Sequence, residues 1–219
     1  MIDRSHYSAV VERVCTLFLK YYCPLRVTGC APTDRPFLIC ANHRSHLDSI
    51  AIMAALRLPF TQCGLLAADD YFFQDVRRLS PITRAMRLIP LSRRPRPHEF
   101  QKFVGSCQQF LNEGGEALLA FPEGSRVSAP HSFKRGAAVL AVRLGLPVLP
   151  VYILGTDRVL PKQRVVPSPH RIHVYIGPLL ERARPLAAIT LKYESTKLTR
   201  EIEAAIRALD PSLARAGKV

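Results

Sequence analysis

The chain contains 219 residues, of which 48% are hydrophobic, and it carries a formal net charge of +14 at neutral pH. This length supports one sizeable hydrophobic core, and so strong a positive charge favours partners that carry phosphate groups, such as anionic lipid or nucleic acid. The six cysteines form no C-x-x-C pair, which argues against both a structural zinc site and a compact disulfide framework, and a reducing compartment fits them best.

The N-terminal segment predicts neither export nor membrane insertion. Residues 1–10 carry charges of both signs and no long apolar region, so we expect no secretory signal and a cytoplasmic location. No window of the chain reaches the roughly 18 consecutive apolar residues of a spanning helix. Any membrane contact is therefore expected to be peripheral, at the inner face.

Apolar residues from Tyr7 to Tyr21 recur at the spacing of one helical face, which predicts an amphipathic helix within residues 1–24. Two interpretations remain open for this stripe. It packs onto the rest of the protein, or part of it lies in the headgroup region of a bilayer, with Arg13 and Lys20 near lipid phosphates. Residues 25–219 are expected to form one folded domain.

Beyond this helix, short apolar runs alternate with helical patterns. Strands are predicted at residues 37–41, 62–67, 117–121, 148–153 and 171–176. Helices are predicted from near Ser45 and at residues 99–112, 134–144 and 190–209. This alternation is typical of an α/β fold, here a single domain whose largely parallel or mixed central sheet is flanked by helices and preceded by the N-terminal helix.

The residues just after the first predicted strand carry the most informative chemistry. His43 and Asp48 lie in one loop-to-helix turn, at a strand end where open α/β sheets place their ligands. A histidine near neutral pH can take the proton of an attacking hydroxyl, and a carboxylate on its other ring nitrogen fixes the tautomer and stabilises the imidazolium. This pairing requires His43 to precede the helix, because residues five apart on one helix point in different directions.

Ordinary structural roles are open for the same residues. Ser45 is a favoured N-cap, and Asp48, three residues later, then completes a variant of the capping box. His43 is in that case a loop histidine with a backbone partner. His46 is a weaker partner for Asp48, since side chains two apart on a helix do not face each other.

A second polar segment follows the predicted strand at residues 117–121. Glu123, Gly124 and Arg126 offer a carboxylate, a flexible backbone and a guanidinium. Arg126 can hold a phosphate through two parallel hydrogen bonds, Gly124 lets the backbone approach a ligand, and Glu123 either orients the arginine or accepts a ligand hydroxyl. The alternative is a surface turn with an ion pair of little consequence.

Together these segments resemble the glycerophospholipid acyltransferase family. Its N-H-x-x-x-x-D motif is matched by Asn42, His43 and Asp48, and its F-P-E-G-T-R motif by residues 121–126, with Ser125 in place of threonine. Looser matches to the family's I-P-[IV]-x-R, F-K-x-G and V-P-[IV]-x-P-[VI] blocks occur at residues 89–93, 133–136 and 146–151. The resemblance covers about half of the chain.

The resemblance implies an enzyme that transfers a fatty acyl group from acyl-CoA or acyl carrier protein to the free hydroxyl of a lysophospholipid, first of all lysophosphatidic acid. His43 is then the general base and Asp48 its support, and the acceptor site is assigned to Arg93, Glu123, Gly124, Ser125, Arg126 and Lys134. We expect no cofactor and no metal, because a thioester is already activated. The alternatives are another lysolipid acceptor, or an inactive basic adaptor that binds membranes, although the intact histidine and aspartate argue against the adaptor.

Seven arginines fall within residues 77–96, with no acid among them. A solvated basic face is the simplest interpretation. Nucleic acid is disfavoured as a partner, since no aromatic residues alternate with the arginines to stack on bases, and Pro81 and Pro90 interrupt any basic helix. We therefore expect these arginines to face an anionic membrane surface, where each contributes about 1 kcal/mol of attraction.

Overall fold

The computed structural model describes residues 4–33, 35–68, 81–92, 94–124, 133–161, 164, 166–181 and 188–216. In chain order the elements are α1 (Arg4–Tyr21), β1 (Leu25–Thr28), β2 (Phe37–Ala41), α2 (Asp48–Leu56), β3 (Cys63–Ala68), α3 (Pro81–Ala85), β4 (Arg87–Leu91), α4 (Pro97–Asn112), β5 (Ala117–Ala120), α5 (Gly136–Leu144), β6 (Val148–Leu154), α6 (Thr156–Val159), β7 (Ile172–Ile176), α7 (Ala188–Ala208) and α8 (Pro211–Ala216). The predicted α/β alternation is confirmed.

The described strands form one seven-stranded sheet in the order β1-β7-β6-β2-β5-β3-β4. Neighbouring strands are parallel except β6 and β7, which are antiparallel. The sheet is therefore mixed and largely parallel, as predicted. β2 lies at its centre, and all five of its residues are buried because helices cover both faces.

Two apolar clusters, one on each face of the sheet, form the core. On the first face α1 and α2 pack against the central strands through residues such as Leu19 and Met53. On the second face α4, α5 and α7 contribute Phe103, Leu140 and Ile202. The loops that leave the carboxyl ends of the central strands emerge between these two layers, where a ligand can reach them.

Two strands escape prediction from the sequence, and both lie at edges of the sheet. β1 has four residues, of which three are exposed, so it lacks the apolar run that marks a buried strand. β4 contains Pro90, which normally argues against a strand. At an edge, one side of the strand has no partner, and proline then costs no ladder hydrogen bond on that side.

α1 divides the predicted apolar stripe between two surroundings. Tyr7, Val11 and Phe18 pack against the core, and the Ser8 hydroxyl donates to the Ala85 carbonyl oxygen at 2.8 Å. The other members of the stripe are exposed, namely Val10, Val14, Leu17 and Tyr21. Part of the stripe is therefore core packing and part faces solvent. The described helices contain no segment with the length and hydropathy that crossing a bilayer requires.

Candidate active site

The loop after β2 and the loop after β5 meet at the carboxyl ends of these two central strands. β2 and β5 are neighbouring parallel strands with Cys40 opposite Ala120, so the chain leaves both strands at the same level. The first loop carries His43 and the second carries Glu123. The backbone N–H of His43 donates to the Glu123 carboxylate at 3.4 Å, which joins the two sequence motifs.

His43 and Asp48 form a hydrogen-bonded pair. The ring Nδ1 of His43 lies 2.9 Å from Asp48 Oδ2. His43 belongs to the loop and Asp48 is the first residue of α2, which is the arrangement that the pairing requires. Because the partner is a carboxylate, we assign the ring proton to Nδ1, and Nε2 then carries the lone pair that a general base uses. The Asp48 side chain is fully buried, whereas that of His43 is 21% exposed.

The start of α2 differs from the prediction. The helix begins at Asp48 with Leu47 at the N-cap position, so Ser45 is not its N-cap. The Ser45 hydroxyl donates to the Leu160 carbonyl oxygen at 2.8 Å and accepts the backbone N–H of Leu47 at 3.3 Å. The Asp48 carboxylate reaches back and accepts the backbone N–H groups of Arg44 at 2.7 Å and Ser45 at 2.9 Å. These bonds hold the loop open ahead of the helix. Asp48 therefore fixes the loop backbone and supports His43 with the same oxygen atom.

Asn42 fastens the loop to the neighbouring strand β6. Its side-chain oxygen accepts the backbone N–H of Ile153 at 2.7 Å, and its amide nitrogen donates to the Ile153 carbonyl oxygen at 2.9 Å. The buried side-chain amide thus continues the pairing of β2 with β6 beyond the end of β2. In the sequence analysis, Asn42 was identified only as the first residue of the N-H-x-x-x-x-D motif. Its position one residue past a buried strand is the signal for this role.

Replacing Asn42 by alanine is expected to lower the free energy of unfolding by about 2 to 3 kcal/mol, because both backbone groups of Ile153 lose a buried partner. Urea denaturation followed by circular dichroism measures the loss. Asn112→Ala is the matched control, since the Asn112 amide oxygen accepts only an exposed hydrogen bond from Gln108 among the described contacts. A similar loss in both variants would show that the bonds to Ile153 contribute little.

Phe121 provides one wall for the His43 side chain. Its ring stacks on the His43 imidazole with centroids 4.1 Å apart and an angle of 21° between the planes. The stack restricts rotation of the imidazole. Sequence reasoning assigned Phe121 no role, although its place at the head of the F-P-E-G block was the available signal.

Glu123 lies between the two loops in a half-buried position. Burial raises the pKa of its carboxyl group, and the His43 N–H and the positive charge of Arg44 oppose that rise. Arg44 is itself exposed. The carboxylate thus lies beside His43, and the positive charge of Arg44 acts on it.

Gly124 and Lys134 approach each other closely. Gly124 has a φ of +72°, and a Cβ atom at this position would lie 2.6 Å from Nζ of Lys134. The backbone N–H of Lys134 donates to the Pro122 carbonyl oxygen at 2.9 Å. The backbone conformation therefore favours glycine at this position, whereas the flexible end of the lysine side chain can move away from a larger residue. The contact brings a positive charge to the loop that follows β5.

Comparison with known proteins identifies the family. Residues 25–154, more than half of the chain, match the family model described as Acyltransferase. The chain belongs to the acyltransferase family. Both loops of the site, including the histidine–aspartate pair, lie inside the matched segment.

Several curated acyltransferases are similar to this family member. A 1-acyl-sn-glycerol-3-phosphate acyltransferase of Chlamydomonas reinhardtii is 29% identical, over 59% of this chain and 37% of that protein. The alpha form from Mus musculus is 26% identical, over 77% of this chain and 59% of that protein. The chain spans only about a third of the length of the first relatives that it matches, between 35% and 37% in three algal and plant proteins.

A solved acyltransferase structure shares the fold. The 1-acyl-sn-glycerophosphate (LPA) acyltransferase PlsC from Thermotoga maritima aligns with a TM-score of 0.59 and 24% sequence identity. The alignment covers 93% of this chain and 83% of that chain. The similarity therefore includes the elements that surround the family segment.

The structure brings three of the predicted acceptor-site residues, Glu123, Gly124 and Lys134, to the loop after β5. The other three, Arg93, Ser125 and Arg126, lie outside the described residues, and their roles stay predictions. Within the described ranges, no three His, Cys, Asp or Glu side chains cluster as metal ligands would.

Proposed function

We propose that the protein transfers a fatty acyl group from acyl-CoA or acyl carrier protein to the free hydroxyl of 1-acyl-sn-glycerol-3-phosphate, producing phosphatidic acid. The observation that carries the proposal is the 2.9 Å contact between His43 and Asp48, which leaves Nε2 as a base in a chain of the acyltransferase family. The names of the curated relatives favour the same acceptor.

The proposed reaction proceeds by direct transfer. Nε2 of His43 takes the hydroxyl proton as the acceptor oxygen attacks the thioester carbonyl carbon. The new C–O bond forms, the C–S bond breaks when the tetrahedral adduct collapses, and the imidazolium returns the proton to the departing thiolate. Asp48 stabilises the imidazolium during this interval, because its negative charge lies against Nδ1.

The surroundings of Cys40 support direct transfer rather than a covalent acyl-enzyme. Cys40 lies in β2, two residues before Asn42, and is fully buried. Burial raises the pKa of its thiol well above the usual range, so the reactive thiolate is strongly disfavoured. Because Cys40 is disfavoured as a nucleophile, we propose that the base acts on the acceptor hydroxyl itself.

The proposed acceptor site lies around the loop after β5. Gly124 admits the Lys134 ammonium group to this loop, and Arg126, two residues further along, supplies a guanidinium for two parallel hydrogen bonds to a phosphate. In this proposal Glu123, which accepts the backbone N–H of His43, also accepts a hydrogen bond from a glycerol hydroxyl. A phosphate monoester next to a free hydroxyl matches these groups, and lysophosphatidic acid carries both.

An acyl-transfer assay tests the proposal. Lysophosphatidic acid, a lyso-aminolipid and other lysophospholipids are offered to the purified protein, each with acyl-CoA and with acylated carrier protein. We expect the highest kcat/KM with lysophosphatidic acid. A higher value with another lysolipid would reassign the acceptor, and absence of transfer in every combination would favour the inactive membrane adaptor.

Arg126→Ala is expected to raise KM for lysophosphatidic acid by about tenfold to a hundredfold, because charged hydrogen bonds to the phosphate are lost. KM for the acyl donor should change by less than about threefold, since the guanidinium takes no part in proton transfer. Steady-state kinetics with each substrate varied in turn measure both values. Arg143→Ala, at an exposed position of α5, serves as the control and should change neither. Equal effects on both substrates would remove Arg126 from the acceptor site.

We also propose that the reaction takes place at the inner face of a membrane. The acyl chain of a lysophospholipid is held in the bilayer, so the enzyme must reach its acceptor at the headgroup surface. The net charge of +14 favours association with anionic headgroups.

A further inference from the structure

Basic side chains converge where β7 begins. Arg26 on β1 lies opposite His173 on β7, and Arg171 directly precedes β7. Burial, together with the charges of Arg26 and Arg171, lowers the pKa of His173, which places both guanidinium groups within electrostatic reach of the imidazole. Both arginines are exposed, and among the ion pairs between described residues neither has a carboxylate partner. The cluster therefore presents to solvent positive charge that no described carboxylate pairs with.

This cluster lies at the same end of the strands as the candidate active site, namely at the carboxyl ends of β2, β5 and β6. β7 runs antiparallel to β6, so its first residues lie beside the carboxyl end of β6, with Leu154 opposite His173. The carboxyl end of β6 is in turn fastened to the loop of His43 through Asn42. Because β2 and β7 are two strands apart, their backbones are separated by about 10 Å.

Exposed apolar side chains adjoin the basic cluster where α1 ends. Leu17 is 48% exposed and Tyr21 is 72% exposed, and Nζ of Lys20 lies 5.2 Å from the centre of the Tyr21 ring. The Tyr22 hydroxyl donates to the Pro167 carbonyl oxygen at 3.0 Å and thereby ties this end of α1 to the segment before β7. Tyrosine and lysine side by side are typical of protein surfaces at the level of lipid headgroups.

We propose that the α1–β1 corner, consisting of Leu17, Lys20, Tyr21, Arg26 and Arg171, docks on an anionic phospholipid bilayer. Docking in this way turns the carboxyl ends of the central strands, where His43 lies, toward the headgroups. The positive charges complement phosphate groups, and the exposed leucine and tyrosine supply apolar area that can enter the interface. The inference that the side facing the membrane carries the active site rests on the proposed function. The inference that the corner docks on a membrane does not depend on that function.

The corner differs from the arginine-rich segment at residues 77–96, which the sequence first suggested as the docking surface. The described part of that segment surrounds β4, at the opposite edge of the sheet from β1. One of its arginines, Arg87, pairs with Glu113 at 3.3 Å. The two surfaces lie at opposite lateral edges of the sheet, so charge substitutions can separate them.

Sedimentation with vesicles of phosphatidylcholine, with and without phosphatidylglycerol, tests the proposal. In low salt, the double substitution of Arg26→Gln with Arg171→Gln should weaken binding to the anionic vesicles by about 25-fold, since each charge near the surface contributes about fivefold. The double substitution of Leu17→Ser with Tyr21→Ser should weaken binding to both kinds of vesicle. Arg84→Gln with Arg96→Gln, two exposed arginines beside β4, is the matched control and should change binding by less than about threefold.

The outcomes separate this proposal from the proposed function. A short-chain lysophosphatidic acid that is soluble as a monomer should be acylated by the corner variants at the wild-type rate, whereas acceptor embedded in vesicles should not. An equal or larger loss of vesicle binding in the control would overturn the corner as the docking surface, whatever the activity. Normal vesicle binding combined with a raised KM for acylated carrier protein would also overturn it, and would assign the corner to that acidic protein instead. A wild-type protein that binds vesicles through the corner but acylates no acceptor would disprove the proposed function alone.

Discussion

His43→Ala is expected to lower kcat by at least about a hundredfold, because a positioned general base normally contributes that much or more to a proton transfer. The ring occupies a partly exposed position and its main contacts are Asp48 and Phe121. The substitution should therefore leave the protein folded, with the same far-ultraviolet circular dichroism and a melting temperature lowered by only a few degrees. Transfer to lysophosphatidic acid, measured on the purified variant at saturating donor, gives the rate.

His46→Ala is the control for that experiment. His46 is an exposed histidine three residues further along the same loop, and it precedes α2. Its replacement should change kcat by less than about threefold. If His43→Ala kept more than about a tenth of the wild-type rate, or if the two variants lost similar amounts of activity, His43 would not be the base.

Asp48→Asn should reduce both turnover and stability. An asparagine oxygen can still accept the N–H groups of Arg44 and Ser45, but these become neutral hydrogen bonds and lose about 1 to 2 kcal/mol of stability in total. The imidazolium of His43 also loses the negative charge 2.9 Å from Nδ1. We expect kcat to fall by more than about tenfold, though less than in His43→Ala, because Asp48 assists the proton transfer without performing it.

Asp157→Asn provides the matched comparison. Asp157 lies in the first turn of the short helix α6, which follows the carboxyl end of β6, at the same end of the strands as the site. Its substitution removes a carboxylate of the same kind without touching the His43 loop and should leave kcat within about threefold. Turnover comes from the transfer assay, and stability comes from urea denaturation. Near wild-type turnover in Asp48→Asn would leave that residue with a structural role only.

The spacing of His43 and Asp48 was sufficient to predict their pairing, because both belong to one short turn of the chain and no distant element decides whether they meet. The buried strand at residues 37–41 was equally predictable, since an uninterrupted apolar run can be satisfied only inside a sheet covered on both faces. The start of α2 was not predictable. Ser45 has a favourable N-cap side chain, but the helix begins at Asp48, and the Ser45 hydroxyl donates a hydrogen bond to a carbonyl oxygen 115 residues away.

The groups that complete the site depend on which strands are neighbours. Glu123 and Phe121 reach His43 because β5 lies beside β2, and Asn42 reaches Ile153 because β6 lies on the other side of β2. Hydropathy identifies a buried strand but does not encode its partner. Neither contact could therefore be derived from the sequence.

The sequence by itself determined the α/β alternation, the buried central strands and the histidine–aspartate turn, because each depends on residues that are close together in the chain. Only the tertiary structure decided the edge strands β1 and β4, the division of the α1 stripe, and the position of Arg26 and Arg171 at the same end of the strands as His43. These features arise from the strand order and from the one antiparallel pair in the described sheet, β6 and β7. Long-range packing selects both, and no local pattern of residues specifies them.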